Sequence, residues 1–148
     1  MRFLVTEESG RLARWLRLMG YDTALQPTNP LSSLYRRAYN ERRIVVTRNR
    51  RVGASCLFRV VQLTSGELVE QLRQLKQELS LSETKAFSRC DVCNIVLQPV
   101  EKTQVKPRVP PYVYETQTRF TRCPSCQRIY WPATHYARAR AFFDTVKQ

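Results

Sequence analysis

The stretch FLVTEESGRLARWLRLMGYDTAL, residues 3–25, decides the fold of the first part of the chain. Its opening residues are apolar and predict a short buried strand, which the polar turn 6–10 connects to a helix. On that helix apolar residues recur at i, i+3, i+4 and i+7, namely Leu12, Trp15, Leu16 and Met19. Gly20 ends the helix, and the next five residues predict a second strand.

The same alternation continues to about residue 80. A helix is predicted at 31–41, strands at 44–47 and 57–63, and a later helix carries the leucine stripe Leu68, Leu72, Leu75 and Leu79. Strands that alternate with helices predict a parallel sheet covered on both faces. The polar segment 80–85 indicates a domain boundary. A closing helix is predicted from one apolar face, formed by Tyr136, Ala139, Phe142, Phe143 and Val146.

Two Cys-x-x-Cys pairs lie in the last third of the chain. Cys90 and Cys93 form the first, Cys123 and Cys126 form the second, and 29 residues separate them. Each pair lets two thiolates reach one ion from a single tight turn, and together they complete a closed tetrahedral zinc shell. Such a site is structural, because no position is left for water. A disulfide pair or a redox pair is the alternative interpretation.

The segment between the pairs is short of apolar area, and zinc would supply the stability that it lacks. It contains several prolines and strand-forming residues such as Val113 and Tyr114. The residue after each pair, Asn94 or Gln127, is expected to adopt a left-handed backbone conformation. Cys56, outside the pairs, is expected to be a small buried apolar side chain.

Charge indicates a nucleic-acid partner. The chain has 25 basic and 12 acidic residues, a net charge of +13, and 20 of the basic residues are arginine. Arginine pairs bidentately with phosphate and stacks on bases, whereas a merely solvated basic surface is the alternative. No segment approaches the ~18 apolar residues of a membrane span, and the apolar start is too short for a signal peptide. A cytoplasmic protein is therefore expected, in which paired cysteines are metal ligands more often than disulfides.

Aromatic residues alternate with basic residues around the second cysteine pair, as in Tyr112, Tyr114, Phe120, Tyr130 and Trp131. Such a pattern suits single-stranded RNA, whose bases stack while its phosphates pair, and it equally suits the small core of a zinc ribbon. His135 is the only histidine, and packing at the start of the closing helix is its expected role.

The order of these motifs resembles a known family. The segments are FLVTEESGRLARWLRLMGYDT, IVVTRNR, FSRCDVCNIVLQPV, RVPPYVYE and FTRCPSCQRIYWPATHY, which extend from Phe3 to about Tyr136. They resemble the Mut-seven C-terminal RNase domain family, in which a PIN-like nuclease fold is joined to a zinc ribbon. The resemblance implies a PIN-like α/β domain over residues 1–82, then a four-cysteine zinc ribbon with a closing helix over residues 83–148.

Two aspartates of the family pattern are replaced in this chain. Similar members read FLVD after the first strand and TRDR after a later one, where this chain has Thr6 and Asn49. The family implies carboxylates gathered at the carboxyl ends of the parallel strands, where they hold Mg²⁺ or Mn²⁺. If activity survives, the carboxylates left to support it are Asp22, Glu7, Glu8 and Glu41.

Three arginines, Arg48, Arg50 and Arg51, surround the second altered position. Fewer carboxylates beside three guanidinium groups favour a phosphate over a divalent cation. The sequence therefore predicts an RNA-binding protein with a degenerate nuclease site. Its predicted phosphate ligands are Arg11, Arg14, Arg17, Arg48, Arg50, Arg51, Arg119, Arg122 and Arg128.

Other functions stay open. An active Mg²⁺- or Mn²⁺-dependent ribonuclease is one alternative, and a zinc-ribbon adaptor that binds another protein is a second. DNA is an alternative to RNA as the partner, and in either case affinity should fall steeply with salt.

Overall fold

The computed structural model describes residues 1–82, 85–132 and 134–147, without the side chains of residues 134–136 and 147. They form two compact units, residues 1–94 and 95–148. The predicted domain boundary after Ser82 falls at residues 83 and 84, which lie outside the described part. The side chains of His135 and Tyr136 lie outside the described part as well. Across the described helices, none combines the length and the apolar character that a membrane crossing requires.

A parallel sheet of four strands, in the order β2-β1-β3-β4, organises the first unit. The strands are β1 (Arg2–Thr6), β2 (Asp22–Gln26), β3 (Ile44–Thr47) and β4 (Val60–Gln62). All neighbouring strands pair in parallel, so their last residues lie at one edge of the sheet. We call this the carboxyl edge; it contains Thr6, Gln26, Thr47 and Gln62. The opposite edge, where the strands begin, is the amino edge.

Helices cover both faces of this sheet. They are α1 (Gly10–Leu18), α2 (Leu31–Asn40) and α3 (Leu68–Leu79). On one face, Leu4 and Val45 pack with Leu34 and Ala38 of α2. Neighbouring strand residues point to the other face, where Phe3 and Val5 are fully buried and where α1 and α3 contact each other. The predicted α/β class with a helix-flanked parallel sheet is confirmed.

The predicted strand 57–63 is shorter in the structure. Only Val60–Gln62 is in register with β3, and the flanking main-chain hydrogen bonds reach no further than Arg59 and Leu63 among the described residues. Leu57 is 66% exposed, and Cys56, which was expected to be buried, is exposed as well. Both belong to the irregular loop 48–59, which is fixed to the core by buried Val52 instead. The expectation for Cys56 was therefore wrong.

The second unit contains an antiparallel sheet of three short strands, β5 (Gln98–Val100), β6 (Phe120–Arg122) and β7 (Ile129–Tyr130). Its helices are α4 (Lys102–Val105), α5 (Pro111–Thr116) and α6 (Thr134–Lys147). Val113 and Tyr114, predicted as strand formers, lie in α5. Pro111 begins that helix with a φ angle already suited to it, which outweighs their strand propensity. On α6, Ala139, Phe143 and Val146 are buried, in agreement with the predicted apolar face.

Candidate metal centre and nucleic-acid interface

Four cysteines come together as one candidate metal centre. The Sγ atoms of Cys90, Cys93, Cys123 and Cys126 all lie within 4.8 Å of one another. Cys90 and Cys123 are fully buried. Four thiolates at this separation can provide the closed tetrahedral shell of a structural Zn²⁺ ion, without a position for water or substrate. The predicted grouping of these four residues is confirmed.

The same backbone turn shapes each cysteine pair. The Asn94 N–H donates to the Cys90 carbonyl at 2.9 Å, and the Gln127 N–H donates to the Cys123 carbonyl at 3.0 Å. Asn94 and Gln127 both have a φ of 63°, which confirms the left-handed conformation predicted for them. In the first pair, the Cys93 N–H also donates to Cys90 Sγ at 3.3 Å.

Two arginines of α1 hold the first cysteine turn. Arg17 donates from Nη1 to the carbonyls of Asp91 at 3.0 Å and Val92 at 2.9 Å. Arg14 pairs with the buried Asp91 carboxylate at 2.6 Å. These contacts differ from the phosphate contacts predicted for Arg14 and Arg17, because the carbonyls of a tight turn attract guanidinium donors as a phosphate does. Arg11 remains exposed, and no partner for its side chain lies among the described residues.

Asp22 lies at the amino edge of the sheet, away from the carboxyl edge. Its carboxylate accepts hydrogen bonds from Arg43 at 2.8 Å, Asn94 at 2.7 Å and Arg2 at 3.1 Å. Burial alone would raise the pKa of Asp22, but these donors together hold it well below its usual range. The placement follows from strand polarity: Asp22 is the first residue of β2, and parallel pairing brings it beside Arg2, the first residue of β1.

Glu41 lies near Asp22, and Arg43 connects the two. Its carboxylate accepts from the Arg43 Nε and, at 2.8 Å, from the Arg37 Nε. The Arg43 hydrogen bond lowers the pKa of Glu41, with a further contribution from Arg37. Asp22 and Glu41 therefore do not form one group with Glu8 among the described residues.

Glu8 is the carboxylate that reaches the carboxyl edge. A 3-10 turn at Glu7–Ser9 follows β1. It turns Glu8 back, so that Glu8 Oε1 accepts from the Thr6 hydroxyl, from the Thr47 hydroxyl at 3.2 Å and from the Arg48 N–H at 3.0 Å. Burial opposes ionisation, but the hydrogen bonds from Thr6, Arg48 and Thr47 lower the pKa of Glu8 overall. Glu7 is exposed and makes no such contact with the described residues.

Asn49 is used within its own loop. Its side-chain oxygen accepts from the Arg51 N–H at 2.9 Å, and its N–H donates to Thr47 Oγ1 at 3.0 Å. Thr47 was not predicted from the sequence, although its position at the end of a buried strand indicates the carboxyl edge. Arg48, Arg50 and Arg51 are exposed, and their side chains have no hydrogen-bond or ion-pair partner in the described ranges.

Acidic residues do not cluster at the carboxyl edge. Among the described residues, the four cysteines are the one group of three or more histidine, cysteine or carboxylate side chains close enough to share an ion. Glu8 is accompanied there by the neutral side chains of Thr6, Thr47 and Gln26. The donor set therefore fits Mg²⁺ or Mn²⁺ poorly, since these ions are normally bound through carboxylates.

The basic and aromatic residues near the second cysteine pair divide between core and surface. Phe120 and Trp131 belong to the small core of the second unit, with ring centroids 6.3 Å apart. Tyr112 is 74% exposed, whereas Tyr114 packs against that core. Arg119 and Arg128 are exposed and Arg122 is half-buried, and none of the three side chains has a partner within the described part.

Comparison with known proteins identifies a family. The family model described as Mut7-C RNAse domain matches residues 1–143, which is almost the whole chain. Searches of the curated proteins and of the solved structures found no match.

Proposed function

Because the chain belongs to the Mut7-C RNAse domain family, we propose that it binds RNA through a nuclease fold whose metal-dependent site is degenerate. The family supports RNA as the partner. The observation that carries the proposal is the carboxyl edge, where Glu8 is hydrogen-bonded by Thr6, Thr47 and the Arg48 N–H, and where no group of three carboxylates comes together among the described residues.

The first step concerns the divalent cation. At ~5 Å and an effective dielectric of ~20, each carboxylate attracts a doubly charged cation by about 7 kcal/mol. Where the family pattern has two aspartates, this chain has Thr6 and Asn49, and roughly twice that attraction is missing before any relaxation of the surrounding side chains and water. Mg²⁺ gives up its water reluctantly, and neutral hydroxyl and amide oxygens offset that cost poorly. The cation would therefore remain in solution.

The second step concerns the anion. Arg48, Arg50 and Arg51 lie in the loop that follows β3 and have no competing partner among the described residues. An arginine without an internal partner can pair bidentately with a phosphate and loses little by doing so. Arg14 and Arg17 are poorer candidates, because their donors already hold the first cysteine turn. We therefore place the main phosphate contacts at the carboxyl edge, with further exposed contacts from Arg11, Arg119 and Arg128.

The cysteine cluster has a supporting role in this proposal. A Zn²⁺ ion held by Cys90, Cys93, Cys123 and Cys126 would be structural, as in a zinc ribbon, and would take no part in chemistry on RNA. A reducing compartment such as the cytoplasm is the consistent setting, because thiolates stay available to zinc there.

The test measures RNA binding as a function of salt. Fluorescence anisotropy with a labelled single-stranded RNA compares the wild-type protein with Arg48→Gln/Arg50→Gln/Arg51→Gln. Since each phosphate contact contributes about 0.7 to the slope of log affinity against log salt, the variant should lose about 2 from that slope. A charge-matched control, Arg42→Gln/Arg138→Gln/Arg140→Gln, should keep it. An unchanged slope in the first variant would refute the proposed contacts.

A cleavage assay distinguishes the alternatives. Wild-type protein is expected to leave single-stranded and structured RNA intact with Mg²⁺ or Mn²⁺, and Thr6→Asp/Asn49→Asp is expected to gain metal-dependent cleavage. Wild-type cleavage that Glu8→Gln abolishes would establish the active ribonuclease instead. Weak, salt-insensitive RNA binding with a stable protein partner would favour the adaptor, and competition with single-stranded DNA decides between the two nucleic acids.

A further inference from the structure

A small aromatic cavity lies between α2 and the loop 48–59. Its volume is about 330 Å³, and it is lined among others by Tyr35, Arg36, Tyr39, Ser55, Leu57 and Phe58. The sequence patterns did not indicate this cavity, because its walls come from a helix and from a loop that was predicted as a strand. All of its lining residues belong to the first unit.

The cavity has a fixed floor and exposed walls. Tyr35 and Phe58 pack against the core of the first unit, with ring centroids 5.6 Å apart and planes tilted by 42°. Tyr39 and Leu57 are 56% and 66% exposed. These two side chains leave apolar surface beside the cavity that a bound molecule could cover.

The charges around the cavity point to the chemistry of that molecule. Arg36 lines the cavity, is exposed and has no side-chain partner in the described ranges, and no acidic residue is among the lining residues. The wall residues 54–58 continue directly from Arg50 and Arg51 in the same loop. An apolar protein side chain would leave these guanidinium groups unpaired, whereas a nucleotide offers both a flat apolar ring and a phosphate that pairs with them.

We propose that this cavity is a nucleobase subsite, in which one base of a single-stranded RNA stacks on Tyr39 while its phosphates contact Arg36, Arg50 and Arg51. This inference rests on the proposed RNA-binding function and adds a base contact to it. The volume is at the lower end for small-molecule sites, ~300 to 1,000 Å³, which suits one nucleotide. A base paired in an A-form duplex is not available for stacking, so the subsite selects single strands.

The experiment compares an oligoadenylate with an oligomer of the same length in which every nucleotide is abasic. Both carry the same phosphate charge, so their affinity ratio reports the base contact alone. Wild-type protein should bind the oligoadenylate about 5-fold to 150-fold more tightly, the range that base stacking on an aromatic side chain gives. Tyr39→Ala should bring the ratio close to unity without a change in the melting temperature, since Tyr39 is an exposed helical residue.

Two further variants separate stacking from apolar packing. Tyr39→Phe keeps the aromatic ring and should keep the affinity ratio. Tyr39→Leu keeps an apolar side chain without the ring, and its affinity ratio should fall most of the way to unity. Equal affinity of wild type for both oligomers, an unchanged ratio in Tyr39→Ala, or full retention by Tyr39→Leu would overturn the nucleobase assignment. The proposed RNA-binding function fails separately, if wild type binds neither oligomer or if the triple variant of Arg48, Arg50 and Arg51 retains the salt slope.

Discussion

Substitution of Asp22 by asparagine tests whether this residue supports the fold or the chemistry. Asp22 is 20% exposed, and Arg43, its main partner, is 6% exposed. A hydrogen bond to a charged group contributes about 1.5 to 3 kcal/mol, and the half-exposed pair with Arg2 adds at most about 1 kcal/mol. Arg43 keeps Glu41 as a partner, so the full 3 to 5 kcal/mol of an orphaned buried charge is not reached. We expect a loss of about 2 to 3 kcal/mol.

The pH dependence gives this prediction a second, independent test. The pKa of Asp22 is lower in the folded protein than in the unfolded chain. The stabilisation is therefore complete above the unfolded value, ~3.9, and is lost as the pH falls toward the folded value. The difference in stability between wild type and Asp22→Asn should stay constant from about pH 7 to pH 5 and should narrow below about pH 4.

The assay is thermal unfolding followed by circular dichroism, with urea denaturation as the reference for free energy. For a chain of this size, 1 kcal/mol corresponds to roughly 3 to 4 °C in Tm, so a decrease of about 6 to 12 °C is expected. Glu70→Gln is the matched control; its pair with Arg73 lies on the surface of α3 and should change Tm by less than about 2 °C. A Tm of Asp22→Asn equal to that of wild type would refute the structural role.

Three further predictions concern the glycine turn, the cysteine cluster and the carboxyl edge. Gly20→Ala should lose more than about 2 kcal/mol in urea denaturation, because Gly20 has a φ of 93° and a Cβ there would lie 2.2 Å from the Lys85 carbonyl oxygen; equal stability would be inconsistent with this turn. Purified protein should contain one zinc per chain by elemental analysis, and Cys126→Ser or a strong chelator should lower both zinc content and Tm; a metal-free protein of unchanged Tm would contradict a structural ion. Glu8→Gln should raise RNA affinity about 2-fold to 5-fold at low salt, because it removes the negative charge beside Arg48; weaker RNA binding would indicate that Glu8 takes part in recognition.

The parts of the fold that were predictable depend on local patterns. The apolar period of Leu12 and Leu16 and the alternation of strands with helices are properties of short segments, and they specify a parallel sheet without knowledge of distant contacts. The left-handed turns at Asn94 and Gln127 could also be predicted, because a cysteine pair at this spacing directly constrains the backbone conformation of the next residue. The grouping of the four cysteines follows from metal chemistry rather than from propensity.

The remaining features depend on contacts between residues far apart in the chain. Arg17 donates to the carbonyls of Asp91 and Val92, which lie 74 and 75 positions later in the chain. An amphipathic pattern cannot predict that this arginine holds a turn so far away. The position of Asp22 depends on its place as the first residue of β2 in the paired sheet, not on its closeness in sequence to other candidates. Leu57 and Cys56 have strand-like neighbours, but they lie outside the segment Val60–Gln62 that pairs with β3, and hydropathy alone does not report where the pairing begins.

Manganese binding at the carboxyl edge tests the central claim most directly. Electron paramagnetic resonance of free Mn²⁺ can be titrated with zinc-loaded wild-type protein and with Thr6→Asp/Asn49→Asp. We expect wild type to leave the signal of the free ion unchanged, and the double variant to reduce it as its restored carboxylates bind the ion. Stoichiometric loss of the signal with wild type, reversed by Glu8→Gln, would mean that this edge still holds a catalytic metal.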